Sequence, residues 1–239
     1  MRSAWSGILA EIIGTFLFFF VGIGAIGTLN FVNAGNPVDP AAALVVVALA
    51  HGLALAVLVS ALGSVSGAHF NPAVTFGVWM TGHIPARRAA AYVVAQLIGG
   101  ILAAWAVWLV IPRDVFPNLG IPQLFGSISP VGGIIVEAVL TAVLLIAVFG
   151  TAVDPRAPKT GGLAIGLAVA ADILMGGALT GAAMNPARWF GPAAVTMNWD
   201  NFYVWIIGPL VGAGLAALAY RFVFMPGADL LRTPADPTA

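Results

Sequence analysis

Long apolar stretches alternate with short, turn-rich segments along the whole chain. The segments between them are rich in proline, glycine and asparagine, as between Asn30 and Pro40 and between Pro112 and Pro130. Each apolar stretch is long enough to cross a bilayer as a helix, which predicts an all-α membrane protein. We place six transmembrane helices at residues 6–29, 41–62, 88–111, 131–152, 160–180 and 202–224. The polar, proline-rich residues 226–239 predict a short C-terminal tail.

Composition supports a membrane location and excludes several function classes. The chain is 61% hydrophobic and only 8% charged, whereas about a quarter of an average soluble chain is charged. A formal net charge of zero gives no electrostatic footprint for nucleic acid. The absence of cysteine excludes disulfides and thiolate metal sites. Because His51, His69 and His83 lie in different segments, we predict no metal site and no cofactor.

The basic residues predict the orientation of the chain. Glu11 is the one charge between Gly7 and Leu29, and that apolar length favours a first membrane helix over a removed signal peptide. With six crossings, only Arg113 falls in a loop on the opposite side, and Arg188 is left over. The positive-inside rule therefore places both termini in the cytoplasm. The basic residues on that side are Arg2, Arg87, Arg88, Arg156, Lys159, Arg221 and Arg232.

The two halves of the chain repeat the same residues at a constant offset. Gly52-Leu53-Ala54 returns as Gly166-Leu167-Ala168, and Asn71-Pro72-Ala73 returns as Asn185-Pro186-Ala187, each 114 positions later. Each half contains three crossings, an odd number, so the second half must lie upside down relative to the first. Inverted repeats of this kind are common in membrane transport proteins. We predict a single domain over residues 1–225, with repeats at about 6–111 and 131–224.

Each Asn-Pro-Ala tripeptide predicts the start of a short helix. Proline suits the first helical position and asparagine suits the N-cap before it. The helix that starts at Pro72 has about 10 residues before Gly82 and Pro85 end it, which spans roughly half of the ~30 Å hydrocarbon core. Two such re-entrant half-helices, entering from opposite faces, would meet at the midplane. Their non-helical lead-ins must then border a wet cavity, because lipid would leave backbone groups unpaired.

Around these tripeptides the sequence resembles the aquaporin family, also called the major intrinsic proteins. The resemblance covers nearly the whole chain, and it implies a passive channel with six transmembrane helices and two half-helices in each subunit of a homotetramer. The two motif segments, Ser66 to Thr75 and Thr180 to Arg188, carry it most strongly. Other residues that fit the family pattern are Glu11, Gln96, Glu137, Ala193 and Gly208-Pro209.

The paired asparagines are expected to act at the midplane. Each helix N-terminus carries about half a positive charge, so two of them facing one constriction oppose cations. Asn71 and Asn185 would cap their helices with the side-chain oxygen and leave the amide N–H groups for passing water. A water held by both would point its hydrogens away along the pore, which interrupts proton transfer. The alternative is that both asparagines are structural caps only.

The resemblance also implies a selectivity filter formed by His51, Ile173, Ala182 and Arg188. This set resembles the filter of vacuolar-type (tonoplast) aquaporins, a group associated with water, ammonia, urea and hydrogen peroxide. Water-strict members more often have an aromatic residue at the His51 position and histidine at the Ile173 position. Glycerol channels usually have aspartate after the filter arginine, where this chain has Trp189. The alternatives are a packing role for His51 and an interfacial, snorkelling position for Arg188.

Three acids fall within predicted membrane segments. Glu11 and Glu137 each precede a threonine by four residues and occupy matching places in the two halves. They resemble the family's buried glutamates, which hold the half-helix lead-ins by hydrogen bonds to the backbone. Asp172 has no counterpart in this pattern, and two roles stay open: a neutral, hydrogen-bonded acid in the helix bundle, or an acid that tunes Arg188.

The sequence therefore predicts a channel and not an enzyme. It would pass water and small neutral solutes, among them ammonia, urea and hydrogen peroxide, and would exclude ions and protons. The alternatives are a glycerol facilitator of the same family, an ion-coupled transporter, and an intramembrane enzyme that uses the two glutamates. Its expected partners are membrane lipid and copies of the same chain. The alanine- and glycine-rich, short-tailed chain favours a prokaryotic plasma membrane.

Overall fold

A computed structural model describes residues 4–33, 36, 38–156, 158 and 160–224. The elements that follow are those of the described residues. The α-helices are α1 (Ala4–Val32), α2 (Pro40–Ser66), α3 (Pro72–Met80), α4 (Ala86–Val110), α5 (Pro130–Val148), α6 (Gly161–Thr180), α7 (Pro186–Thr196) and α8 (Val204–Ala219). Two π-helical turns, Phe149–Val153 and Tyr220–Phe224, continue α5 and α8. The predicted tail over residues 226–239 lies outside the described residues.

Within the described chain, six helices are long and apolar enough to cross a membrane: α1, α2, α4, α6, and α5 and α8 with their π-helical turns. Each coincides with one predicted segment, so the six predicted crossings are confirmed. The observed ends are set by local chemistry. Asp39 caps α2 by accepting hydrogen bonds from the amides of Ala41 and Ala42, and Gly67 ends it with a left-handed φ of 92°.

The other two helices, α3 and α7, are too short to cross, with 9 and 11 residues. At 1.5 Å per residue they extend roughly 14–17 Å, about half of the hydrocarbon core. Each half-helix packs against the last crossing helix of the opposite half: α3 against α8, and α7 against α4. The halves are therefore interleaved at their centre rather than simply placed side by side.

Glycines let the crossing helices approach closely. A Cβ atom at Gly52 in α2 would collide with the carbonyl of Gly166 in α6, and one at Gly212 in α8 would collide with the carbonyl of Ala138 in α5. Packing in membranes depends on such close contact, because lipid leaves no hydrophobic driving force between helices. The pairs α1·α4 and α5·α8 pack beside the central pair α2·α6, through the contacts of α1 with α2 and of α5 with α6.

The described basic residues lie at the ends of the crossing helices, and the orientation of the chain stays a prediction. Arg87 and Arg88 lie at the start of α4 and Arg221 lies at the end of α8, while Arg113 follows the opposite end of α4. Arg156 pairs with Asp154 at 2.7 Å in the segment after α5. The Arg156 guanidinium beside Asp154 holds the pKa of that carboxyl below its ordinary value. Arg2, Lys159 and Arg232 lie outside the described residues.

We predict that Gly52→Ala destabilises the bundle, because the added methyl group meets the Gly166 backbone across the α2·α6 contact. Overpacking of this kind costs about 1–3 kcal/mol. A Cβ at Gly24 in α1 meets no atom within 4 Å, so Gly24→Ala is the matched control. Thermal unfolding of the two purified variants in detergent should show a lower midpoint for Gly52→Ala alone. Equal midpoints would contradict the close contact.

Candidate functional site

A cavity of about 980 Å³ runs through the centre of the helix bundle. Its lining extends from Gln123, before α5, to Ala152 at the far end of α5. Because α5 crosses the membrane between these points, the cavity connects the two sides of the protein. Six of the predicted site residues line it: His51, Asn71, Ile173, Ala182, Asn185 and Arg188.

The two Asn-Pro-Ala tripeptides start the half-helices at the middle of this cavity. The side-chain oxygen of Asn71 accepts a hydrogen bond from the amide of Ala73 at 2.8 Å, and that of Asn185 accepts one from Ala187 at 3.0 Å. Pro72 and Pro186 take the first helical positions, where a missing N–H costs nothing. Both asparagines and both prolines therefore lie where the tripeptides predict.

The asparagine amides also connect the two halves. Asn71 Nδ2 donates to the carbonyl of Met184 at 2.9 Å, and Asn185 Nδ2 donates to the carbonyl of Phe70 at 2.9 Å. The sequence-based expectation left both N–H groups of each amide to the pore. This expectation was wrong for one N–H of each pair, because the facing lead-in carbonyls need donors in a site away from bulk water. One N–H of each amide remains for a solute.

The lead-ins to the half-helices adopt an unusual backbone. Ala68 and Phe70 in the first lead-in, and Ala182 and Met184 in the second, have φ between 42° and 51°. Left-handed backbone costs a non-glycine residue roughly 1–2 kcal/mol. The benefit is a chain that directs two consecutive N–H groups of each lead-in into the protein, where they need acceptors.

Glu11 accepts those N–H groups in the first half. It is fully buried and receives the amides of His69 at 3.0 Å and Phe70 at 2.7 Å. The Ser66 hydroxyl donates to the same carboxylate at 2.6 Å, and Gln96 Nε2 donates to it at 2.8 Å. Each carboxylate oxygen thus accepts two hydrogen bonds.

Glu137 does the same in the second half. It receives the amides of Ala183 at 3.0 Å and Met184 at 2.7 Å, and the Thr180 hydroxyl at 2.7 Å. Pro209 in α8 has no donor to take the place of Gln96. The structure therefore brings both predicted glutamates to the lead-ins, with one bond fewer in the second half.

The four predicted filter residues all line the cavity, and two of them, His51 and Arg188, contact each other. Arg188 Nε donates to His51 Nε2 at 3.3 Å, and Arg188 Nη2 donates to the Gly120 carbonyl at 2.9 Å. His51 Nδ1 faces the Val47 carbonyl at 2.9 Å. The hydrogen-bond network thus assigns the ring proton to Nδ1. Ile173 and Ala182 are 3% and 4% exposed and contribute apolar side chains to the cavity lining.

Asp172 lies one residue before Ile173 and is buried at 3% exposure. Within the described part of the chain, its Oδ2 atom has no hydrogen-bond partner. The hydrogen bonds of the Arg188 side chain go to His51 and Gly120, which gives no support to direct tuning by Asp172. Nothing in the structure explains an acid at this position.

Sequence reasoning missed the backbone acceptors of the site. The carbonyls of Phe70, Met184 and Gly120 hold the two asparagines and the arginine. Every residue has a backbone carbonyl, so the identity of a side chain does not show which carbonyl will act as an acceptor. The nearest signal is Pro122, which indicates a turn two residues after Gly120.

Comparisons with known proteins show the family of the chain. The family model described as "Major intrinsic protein" matches residues 1–220. The maize protein "Aquaporin TIP4-4" is 45% identical over 236 residues, which cover 97% of this chain and 91% of the relative. "Probable aquaporin TIP3-2" of Arabidopsis thaliana is 43% identical over 228 residues, or 92% of this chain and 84% of the relative. Mouse "Aquaporin-4" is 36% identical over 233 residues, which cover 97% of this chain and 71% of the relative.

A solved structure has the same architecture. The X-ray structure of the aquaglyceroporin from Plasmodium falciparum superposes with a TM-score of 0.84, covering 95% of this chain and 100% of that one at 25% identity. The relatives named above come from plants and a mammal. They give no support to the prokaryotic plasma membrane favoured by composition.

We predict that Glu137→Ala destabilises the fold, because three buried donors lose their acceptor. An unpaired buried donor costs about 1–3 kcal/mol, so the thermal midpoint should fall sharply and the yield of folded protein should drop. Glu137→Gln keeps one acceptor oxygen, so its thermal midpoint should lie between those of the wild type and the alanine variant. A Glu137→Ala protein that unfolds at the wild-type temperature would show that the lead-in does not depend on this carboxylate.

Proposed function

This chain belongs to the major intrinsic protein family and is a membrane channel for water and small solutes, and we propose that it conducts them passively while rejecting ions and protons. The observation that carries the proposal is the pair of half-helix N-termini, each capped by an asparagine, that face one continuous cavity. The homologues are channels rather than enzymes, and in both halves the buried glutamates bind backbone N–H groups.

Charge exclusion follows from the fields at two places along the pore. At the midplane the two helix N-termini together present about one positive charge, and a cation that lost its water shell there would find N–H donors instead of oxygens. At the filter, the Arg188 guanidinium adds a full positive charge. A water molecule accepts hydrogen bonds from both asparagine amides and keeps its own hydrogens directed outward. This orientation breaks the chain along which a proton would move.

The filter composition supports passage of solutes other than water. Ile173 and Ala182 offer no hydrogen bond, so the polar groups of the filter are concentrated on His51 and Arg188. Ala182 leaves room beside the guanidinium for a molecule wider than water, such as urea. Ile173 reduces the number of donors that compete for ammonia along the wall. We propose ammonia, urea and hydrogen peroxide as the additional solutes, in keeping with the similarity to the TIP-named relatives.

A glycerol facilitator is the alternative within the family. The similarity to the aquaglyceroporin fold favours it, but that similarity concerns the helix arrangement. The residue after Arg188 is Trp189, whereas glycerol channels of this family usually have aspartate at that position. Glycerol therefore stays second to the smaller solutes.

The surroundings of the channel are part of the proposal. We propose a single channel domain over residues 1–225 that assembles as a homotetramer in lipid, with both termini in the cytoplasm. Large apolar side chains cover the outward faces of the crossing helices, among them Leu53, Leu109 and Leu167 at 57%, 81% and 57% exposure. Such faces need lipid or another subunit as their neighbour.

The proposal is tested by stopped-flow light scattering on proteoliposomes of the purified protein. Water, urea, glycerol and ammonia gradients are applied to one preparation, with empty liposomes as the background. We expect fast water flux, measurable urea and ammonia flux, and little glycerol flux. Transport against a gradient would identify a coupled transporter, and glycerol flux as fast as urea flux would favour the facilitator.

We predict that Arg188→Val retains water flux and loses selectivity. The substitution removes the filter cation and its hydrogen bonds to His51 and Gly120. The ratio of urea to water permeability should rise, and a pH-sensitive dye inside the vesicles should report a faster proton leak. If the urea-to-water ratio and the proton leak both stay unchanged, Arg188 does not form the selectivity filter.

We also predict that His51→Phe combined with Ile173→His restricts the channel to water. The pair rebuilds the pattern of water-strict members: an aromatic ring narrows the section and a second polar ring replaces an apolar wall. Water permeability should stay close to that of the wild type, because Arg188 still supplies donors for the water oxygen. Urea and ammonia flux should fall to the liposome background. Persistence of both fluxes would contradict the filter assignment.

A further inference from the structure

Trp189 follows the filter arginine and is buried at 2% exposure. Neighbouring residues on an α-helix are rotated by about 100°. Arg188 lines the cavity, so Trp189 on the same half-helix is directed away from it and into the protein. It belongs to a small apolar cluster that is separate from the main core and includes Ile121, Ala183 and Trp205.

The indole of Trp189 stacks on that of Trp205 in α8. The ring centroids are 5.8 Å apart and the planes are 6° from parallel. Trp199 closes the cluster from the side, with its ring 5.8 Å from Trp189 at 66°. The Trp189 and Trp205 rings are both almost fully buried, so the stack is a rigid contact between the half-helix α7 and the crossing helix α8.

Trp205 is in turn attached to the lead-in that contains Ala182. Its Nε1 donates to the Thr180 carbonyl at 3.1 Å, and the Thr180 hydroxyl accepts the amide of Ala182 at 3.1 Å. The same cluster includes Ile121, which follows the carbonyl of Gly120 that binds Arg188. The stack therefore connects the supports of three parts of the filter: Arg188, Ala182 and the Gly120 carbonyl.

Polar contacts alone hold the Arg188 side chain at few points. It donates to His51 at 3.3 Å and to Gly120 at 2.9 Å, and within the described residues its Nη1 atom has no partner. The position of its backbone therefore decides how far the guanidinium reaches into the cavity. That backbone is held at the N-cap of α7, where the Arg188 amide donates to Asn185, and the buried Trp189 ring adjoins it on the same half-helix.

The first half of the chain uses a different connection at the matching place. Thr75 stands 114 positions before Trp189 and accepts a hydrogen bond from Gln96 Nε2 at 2.9 Å. Tyr92 donates to the Ser66 carbonyl at 3.0 Å, as Trp205 does to Thr180. At this matching position, the half-helix that has the filter arginine makes a stack of indoles, whereas the half-helix that lacks it makes a hydrogen bond.

We propose that the Trp189–Trp205 stack is a positioning device that sets the solute size limit of the channel, by fixing Arg188 relative to Ala182. The inference rests on the proposed filter. Trp189 acts through its neighbour and touches no solute. Its loss would allow the half-helix to shift and the guanidinium to withdraw from the pore.

The experiment measures urea and water permeability in the same proteoliposomes for wild type, Trp189→Ser, Trp189→Phe and Arg188→Val. The ratio within one preparation belongs to the conducting channels and is unaffected by the fraction of inactive protein. We expect the urea-to-water ratio of Trp189→Ser to rise about two- to tenfold, the factor that loss of one aromatic pair gives in an equilibrium. The phenyl ring of Trp189→Phe can still stack on Trp205, so the urea-to-water ratio of this variant should be close to that of the wild type.

Two further variants separate positioning from general destabilisation. Trp79→Ser removes an indole from the other half-helix, at 43% exposure, and should leave the ratio unchanged. In the double variant Trp189→Ser with Arg188→Val, the tryptophan change should have no additional effect on the ratio, because it acts through the missing arginine.

The outcomes distinguish a failure of the stack proposal from a failure of the proposed filter. If Arg188→Val alters the ratio and Trp189→Ser does not, the stack proposal is overturned and the filter stands. If Arg188→Val itself leaves the ratio unchanged, the proposed filter fails. Should Trp189→Ser not fold, Trp189→Leu keeps the apolar volume without a stack, and a wild-type ratio in that variant overturns the proposal.

Discussion

The fold depends on how a chain can reverse direction in the middle of a membrane. A reversal exposes backbone N–H groups where neither water nor the next helical turn accepts them, and each unpaired group would cost several kcal/mol. Glu11 and Glu137 solve this problem, because one carboxylate accepts two consecutive amides and a lead-in hydroxyl together. The left-handed residues, the facing helix N-termini and the orientation of both asparagines are possible only because these buried acceptors are in place.

Symmetry and asymmetry have different roles in this molecule. The repeat supplies two half-helices of similar length, 9 and 11 residues, which enter in opposite directions. In the proposed filter, selectivity comes from positions where the halves differ. Arg188 and Trp189 in the second half stand where the first half has Val74 and Thr75, so one half-helix has the cation and its aromatic support while the other makes a simple polar contact.

Much of this could be predicted from the sequence, and the failures have a common cause. Six apolar segments and the constant offset of the repeat predicted the crossings, and proline after asparagine predicted where the half-helices begin. Glu11 and Glu137 were recognisable because a charge in an apolar segment needs a reason. The bonds from Asn71 and Asn185 to the opposite lead-ins were not, since their acceptors are the carbonyls of Phe70 and Met184. The stack of Trp189 on Trp205 was also not predictable, because it joins helices whose rotation about their axes is fixed only by packing.

Each half-helix packs against a crossing helix of the opposite half, and this packing has a consequence for how the protein is made. During synthesis α3 emerges long before α8, the helix against which it packs, and Asn71 must wait for Met184, 113 residues later in the chain. A nascent chain that has inserted only its first three crossing helices therefore lacks the partners that close the centre. The contacts at the centre of the conduit can therefore form only after the second half of the chain has been synthesised.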